Sequence, residues 1–251
     1  MEKNSNNIFL FGVIFCFLIM ACIYWLGPYS DEFMLGEDQG YMWYYWKLSD
    51  PTVWTRFTAW GGYALHQLTI WGLIFWAQQQ APKYTGGLHR FNVIALGANA
   101  GFVGLHILQT KFWYDGLAQD THLVSSLGSV ALMLVFILVM ENQRRGMFFG
   151  KRGPFLKEVG QFLRKYHGYY FSWAVIYTFW YHPIELTLGH IMGTFYILLL
   201  LLQGSLFFSR SHTNRWWTLF LETFVIIHAF MVAYVTHAEE QGAETAARFI
   251  F

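Results

Sequence analysis

Of the 251 residues, 55% are hydrophobic, 21% aromatic and only 12% charged, with a mean hydropathy of +0.33. Ordinary soluble domains carry about twice that charged share, so the composition excludes a water-soluble enzyme and points to a chain that lives in a bilayer. A net charge of +1 with no basic stripe excludes a nucleic-acid partner.

Seven apolar segments follow one another at about 8–27, 57–79, 92–112, 122–141, 168–182, 184–208 and 215–236. Each is near the ~20 residues needed to cross a hydrocarbon core. The expected fold class is therefore all-α: a polytopic membrane protein, a seven-transmembrane-helix bundle, in one integral membrane domain over 1–251. The first segment holds both cysteines, Cys16 and Cys22, so no disulfide framework is expected. It is too long for a signal peptide's apolar region and is read as a retained helix.

The connection after it contains "YMWYYWKLSDPTVW". Trp and Tyr concentrate where headgroups meet hydrocarbon, so this stretch is read as an interfacial anchor, with a lid over an entrance as the alternative. The third segment carries Gly97, Ala98, Ala100, Gly101 and Gly104, a small-residue face expected to let a neighbour approach closely. The fifth is short, so its helix is expected to begin earlier or to lie beside the bundle axis. In the sixth, Pro183 suits the first helical turn, where its missing N–H costs nothing. His182 and Glu185 would then share a face at its mouth. Glu222 in the seventh is expected to bond a buried Trp, Ser or Tyr.

Charge orients the bundle. Lys3 and the loops "APKYTGGLHR", "ENQRRGMFFGKRGPFLKEVGQFLRKYH" and "SRSHTNRWW" hold twelve of the sixteen lysines and arginines. With alternating spans these basic loops share one side, which the positive-inside rule makes cytoplasmic. The acidic loops face the extracytoplasmic side, with the N-terminus in and the C-terminus out.

The histidines concentrate toward the outer side. At about 1.5 Å per residue, His66, His106, His190 and His228 lie roughly 9–12 Å below the outer surface, on four different spans. An imidazole facing lipid leaves a donor and an acceptor without partners, so these four are expected to turn inward and meet in one pocket. Neutral imidazole is a common ligand for Zn, Cu and Fe, so they are read as metal ligands with His182 at the rim. Glu185, Asp115 and Asp120 are the candidate carboxylates behind them, and Glu185, Asp120 and His122 are the candidate catalytic groups.

The resulting reading is a metal-dependent membrane enzyme opening outward and acting on a lipid or other apolar small molecule, with hydrolysis and oxidation both open. A b-type haem protein for electron transfer is the main alternative. Against it, the inner half shows no histidine pair on its helices. A transporter, or a subunit packed against other membrane proteins, is a further reading, kept alive by Glu222. No HExxH, GxSxG, P-loop or dinucleotide turn is present, and the histidine boxes of membrane desaturases are missing. "WTRFT" and His122 resemble the androgen-induced family of threonine-type lipid-ester hydrolases. That resemblance implies Thr58 as nucleophile and His122 as its base.

Overall fold

Among the described residues of the computed structural model, the apolar runs form seven long helices. They are α1 (Glu2–Leu26), α2 (Val53–Gln80), α3 (Arg90–Trp113), α4 (Leu123–Arg145), α5 (Lys157–Tyr181), α6 (Leu188–Ser205) and α7 (Arg215–Glu240). The structure describes residues 2–27, 29–37, 39, 43–80, 82–146, 150–153 and 157–240, without the side chains of 2–6, 8 and 232–240. His237 therefore lies outside the described side chains. Four stretches are long and apolar enough to cross a membrane: Phe9–Glu32, Arg90–Trp113, Leu123–Arg145 and Leu188–Ser205. The other helices are as long, but more polar. α2 carries His66 and Gln67, α5 opens on Lys157 and Glu158, and α7 carries Arg215 and Glu222.

The connections alternate between two ends of the bundle. At the acidic end Ser30 bonds Glu185, Tyr44 bonds His182 and Gly116 abuts Tyr181, so the α1–α2, α3–α4 and α5–α6 links meet. At the basic end Thr85 bridges to Ser209, Arg145 pairs with Glu222 and Asn142 bonds Gly153. Large apolar side chains such as Phe11, Leu18, Phe57, Leu68, Ile226 and Phe230 point outward. Asn92, Asn99, His66 and His106 are buried. Apolar groups outside and satisfied polar groups inside is the arrangement that lipid imposes.

α5 is the central element, packed on α2, α4 and α6. Every residue from Ala174 to Tyr181 is buried, which marks a helix surrounded on all sides. It begins at Lys157, well before the apolar run, because its first turns are two-faced. Lys157, Glu158, Arg164 and Lys165 are exposed while Leu163 packs on Val139 and Met140. Arg164 also donates to the Met140 carbonyl at 2.6 and 3.0 Å.

α6 begins later than expected. The link from His182 to Leu186 is not helical, and the helix starts behind Thr187, whose hydroxyl oxygen accepts the His190 N–H. Pro183 thus stands before the helix rather than in its first turn. With no helix there, His182 and Glu185 are not on a common helical face. The small-residue face of α3 also differs from expectation: a Cβ at Gly97, Gly101 or Gly104 would meet nothing within 4 Å. The close approach is instead at Gly62 of α2, where a Cβ would run into the six-membered ring of Trp180.

Gly62→Ala should therefore destabilise the protein by about 1–3 kcal/mol through overpacking, read as a lowered unfolding temperature in detergent. Gly61→Ala, which enters open space, should be neutral or stabilising. Equal effects of the two would show that the Trp180 contact is not limiting.

Candidate functional site

The imidazoles are best sorted by what each ring nitrogen does. The Trp180 indole can only donate, and its Nε1–H reaches His66 Nδ1 at 3.1 Å. His66 Nδ1 is therefore the acceptor, and Nε2–H donates to Asn99 Oδ1 at 2.7 Å. Asn99 Nδ2 then donates to Ser205 Oγ at 2.8 Å, and that hydroxyl donates to the Leu201 carbonyl at 2.8 Å. The relay joins α5, α2, α3 and α6, and both nitrogens of His66 are used.

His106 is also engaged twice. Its Nε2 lies 2.9 Å from the His182 carbonyl and its Nδ1 lies 3.1 Å from Gln109 Oε1. Gln109 is oriented in turn by donating to the Asp115 carbonyl at 3.1 Å. Neither His66 nor His106 presents a lone pair to a cavity, so the four equal-depth imidazoles do not share one pocket. Depth is set by position along a helix, whereas the direction of a side chain is set by rotation about it.

His190 and His228 do come together, and with them His182. They line a cavity of about 30 Å³ with Thr178, Phe179, Ile184, Gly193, Thr194 and Ile197. The His182 and His190 rings lie 5.4 Å apart, edge to face. His228 is buried, its Nδ1 has no hydrogen-bond partner, and its ring abuts Gly193, where a Cβ would sit 3.3 Å from Cε1. Among the described residues no three His, Cys, Asp or Glu side chains stand together as a ready ligand set.

The aromatic loop packs against two of the cavity's histidines. Tyr44 and Trp46 are buried, Tyr44 Oη shares a 2.8 Å hydrogen bond with His182 Nδ1, and Trp46 packs edge-on against His190 at 5.2 Å. Residues 40–42 lie outside the described part. Burial pushes the Tyr44 phenol well above its ordinary value of 10, so it stays a neutral hydrogen-bonding group. Tyr44 also lines a groove of about 290 Å³ with Gln39, Lys47 and His122, so it touches both that groove and His182.

The carboxylates fall elsewhere than on the histidines. Glu185 is buried and accepts from the Tyr114 hydroxyl and from Ser30 Oγ at 3.3 Å. Tyr114 ends α3 with a left-handed φ of 41°, and its ring stacks on Phe33. Burial raises the Glu185 carboxyl, against the hydrogen bonds from Tyr114, Ser30 and the Leu186 N–H. Asp120 pairs with Arg56 at 3.0 Å and accepts from Trp60 Nε1 at 3.1 Å, tying α2 to the α3–α4 link. His122 caps α4, its Nδ1 accepting the Val124 N–H at 3.2 Å. Thr58 donates to the Thr55 carbonyl at 2.9 Å, and no hydrogen bond joins it to His122, unlike the nucleophile–base pair that the hydrolase resemblance implies. Glu222 is paired bidentately with Arg145 at 2.5 and 2.6 Å, rather than with a Trp, Ser or Tyr.

Sequence spacing missed Tyr44, Trp46 and Trp180 as partners of the histidines, because loop aromatics and a fully buried indole look like anchors and core. The expectation of no histidine pair on helices at the basic end did not cover the links, and His167 of α5 and His212 of the α6–α7 link stand side by side there, 6.3 Å between ring centroids. No protein-family model, curated protein or solved structure matches this chain.

Asp115 gives the acidic end a pH signature. Burial pushes its carboxyl from 3.8 up to about 6, against the hydrogen bonds of the Gly116 N–H and Thr55. The stability carried by its protonated form is therefore full below about pH 4 and is lost as pH rises through about 6. Asp115→Asn should flatten this stretch of the profile and raise stability at pH 7.5 by up to roughly 2–3 kcal/mol. Unfolding temperatures between pH 4 and 8 test it, and parallel curves for variant and wild type would show that Asp115 ionises without cost.

Proposed function

We propose that this chain is an integral membrane enzyme whose seven helices all cross the bilayer, with the basic loops cytoplasmic. We further propose that the cavity of His182, His190 and His228 near its extracytoplasmic end holds one transition-metal ion. The observation that carries the reading is the unpartnered, buried Nδ1 of His228 beside a cavity it shares with two further imidazoles. An unsatisfied polar atom in an apolar interior costs about 1–3 kcal/mol, and an ion is one occupant that would offset that cost.

The donor chemistry fits. His182 and His190 are near enough to share an ion, and all-imidazole sites suit Zn, Cu or Fe. His182 Nδ1 shares its hydrogen bond with Tyr44 Oη, and His106 braces the His182 carbonyl from behind, so the ring is held in place beside the cavity. A bound ion would supply Lewis acidity or redox chemistry. At about 30 Å³ the cavity admits an ion with a water-sized ligand and does not accommodate a porphyrin, which favours an ion over haem b.

A second reading, electron transfer, is favoured by the ring sequence along α5. From His182 through Tyr181, Tyr177, Trp173, Tyr170 and Phe171 to His167, successive centroids are 5.1, 5.7, 5.4, 5.4, 6.4 and 5.4 Å apart.

Elemental analysis and an absorption spectrum of purified, tag-free protein test the proposal. The outer cavity is expected to account for about one transition-metal ion per chain, so His190→Ala and His228→Ala variants that still fold should each hold at least about half an ion per chain less than wild type. Metal-free wild-type protein, or a Soret band without metal loss in these variants, would overturn it.

A further inference from the structure

We infer that His167 and His212 form a second transition-metal site, at the basic end of the bundle. It rests on different residues from the outer cavity and does not depend on the function proposed for that cavity. His167 comes from α5 and His212 from the α6–α7 link, and their rings lie 6.3 Å apart with planes tilted by 33°. Two imidazoles sharing an ion through bonds of about 2 Å bring their centroids to roughly 5 Å at a tetrahedral angle and roughly 6.3 Å at a linear one, so a bent site needs these rings to close by up to about 1 Å.

The hydrogen bonds settle which nitrogens would bind. His167 Nδ1 lies 2.8 Å from the Arg164 carbonyl, and His212 Nδ1 lies 2.9 Å from the Gln203 carbonyl. A carbonyl only accepts, so each Nδ1 carries the proton and each Nε2 of a neutral ring is a lone pair. Among the described residues neither Nε2 has a protein partner. A backbone carbonyl behind one ring nitrogen, with the other left open, is the arrangement that ligating histidines adopt.

The loop histidine is held as firmly as the helical one. Gln203 Nε2 donates to the His212 carbonyl at 3.0 Å, and the His212 N–H donates to Ser209 Oγ at 3.3 Å. Gln203 is fixed in its turn by Trp217 Nε1 at 2.7 Å. Both rings are half-buried, so an ion can enter from the aqueous side without unfolding the loop. Water would fill the remaining coordination positions. Cu(II), at the top of the divalent affinity order, is the probe of choice.

The experiment uses the full-length, tag-free protein in detergent, carrying His190→Ala so that the outer cavity does not contribute. Cu(II) is titrated calorimetrically, and its electron paramagnetic resonance spectrum is read for nitrogen coupling. His167→Asn and His212→Asn, each added to this background, keep a donor near the Nδ1 position but remove Nε2, so the fold is preserved. The expected result is one site with coupling to two imidazole nitrogens, weakened about tenfold or more by either Asn substitution. In oriented vesicles a membrane-impermeant chelator should strip the ion from the side bearing the basic loops. Unchanged affinity in both Asn variants, or coupling to fewer than two imidazole nitrogens in the parent, would overturn the assignment.

Discussion

The directed hydrogen-bond relay from Trp180 through His66 and Asn99 to Ser205 is the constraint on which the arrangement of the bundle rests. It begins with a group that can only donate and ends on a carbonyl that can only accept, so every proton along it has one place to be. In an apolar interior an unmade bond of this kind is costly, and a satisfied chain defines one packing of the helices it joins. Here those are α5, α2, α3 and α6. Gly62 contributes by omission, since only the absence of a side chain lets the Trp180 ring lie against α2.

That packing positions the end of α5, and with it the cavity. His182 follows directly on the helix, its carbonyl held by His106 and its ring by Tyr44. Two kinds of histidine thus lie within a few turns of one another. His66 and His106 use both nitrogens to hold the protein together. His190 and His228 line the cavity, and at least one nitrogen there is unpaired. The same distinction recurs at the basic end, where the Nδ1 atoms of His167 and His212 are committed and the Nε2 atoms are not. Bookkeeping of ring nitrogens separates bracing from binding more sharply than burial does, because all these rings are at least half-buried.

The acidic end adds a second layer. Glu185 and Asp115 are buried carboxyls, close enough to Tyr44 to reinforce the rise that burial causes in its phenol. Tyr114 holds Glu185 from a left-handed backbone position, a conformation uncommon for a residue with a bulky side chain. Polar groups, a left-handed backbone position and aromatic side chains are thus gathered at the acidic end. The basic end is closed differently, by Arg145 with Glu222 and by the Asn142 and Asn92 side chains bonding backbone carbonyls.

Much of the architecture was legible in the amino-acid sequence. Run length and hydropathy determine helices, and four of these stretches alone meet the requirement for crossing a membrane. The gathering of His182, His190 and His228 toward the acidic end was partly legible too, since position along each run needs only counting. What counting cannot supply is rotation about each helix axis and the path of the links, and these decided which residues meet. They placed His66 and His106 in a brace instead of a pocket, brought Tyr44 and Trp46 from a loop onto His182 and His190, and paired Glu222 with an arginine from α4. They also brought His212 to His167, two residues 45 positions apart in the chain. The physical reason is that lipid-like surroundings reward only the sum of satisfied polar groups. Sequence determined that the polar groups must find partners, and tertiary packing alone determined which partners they found.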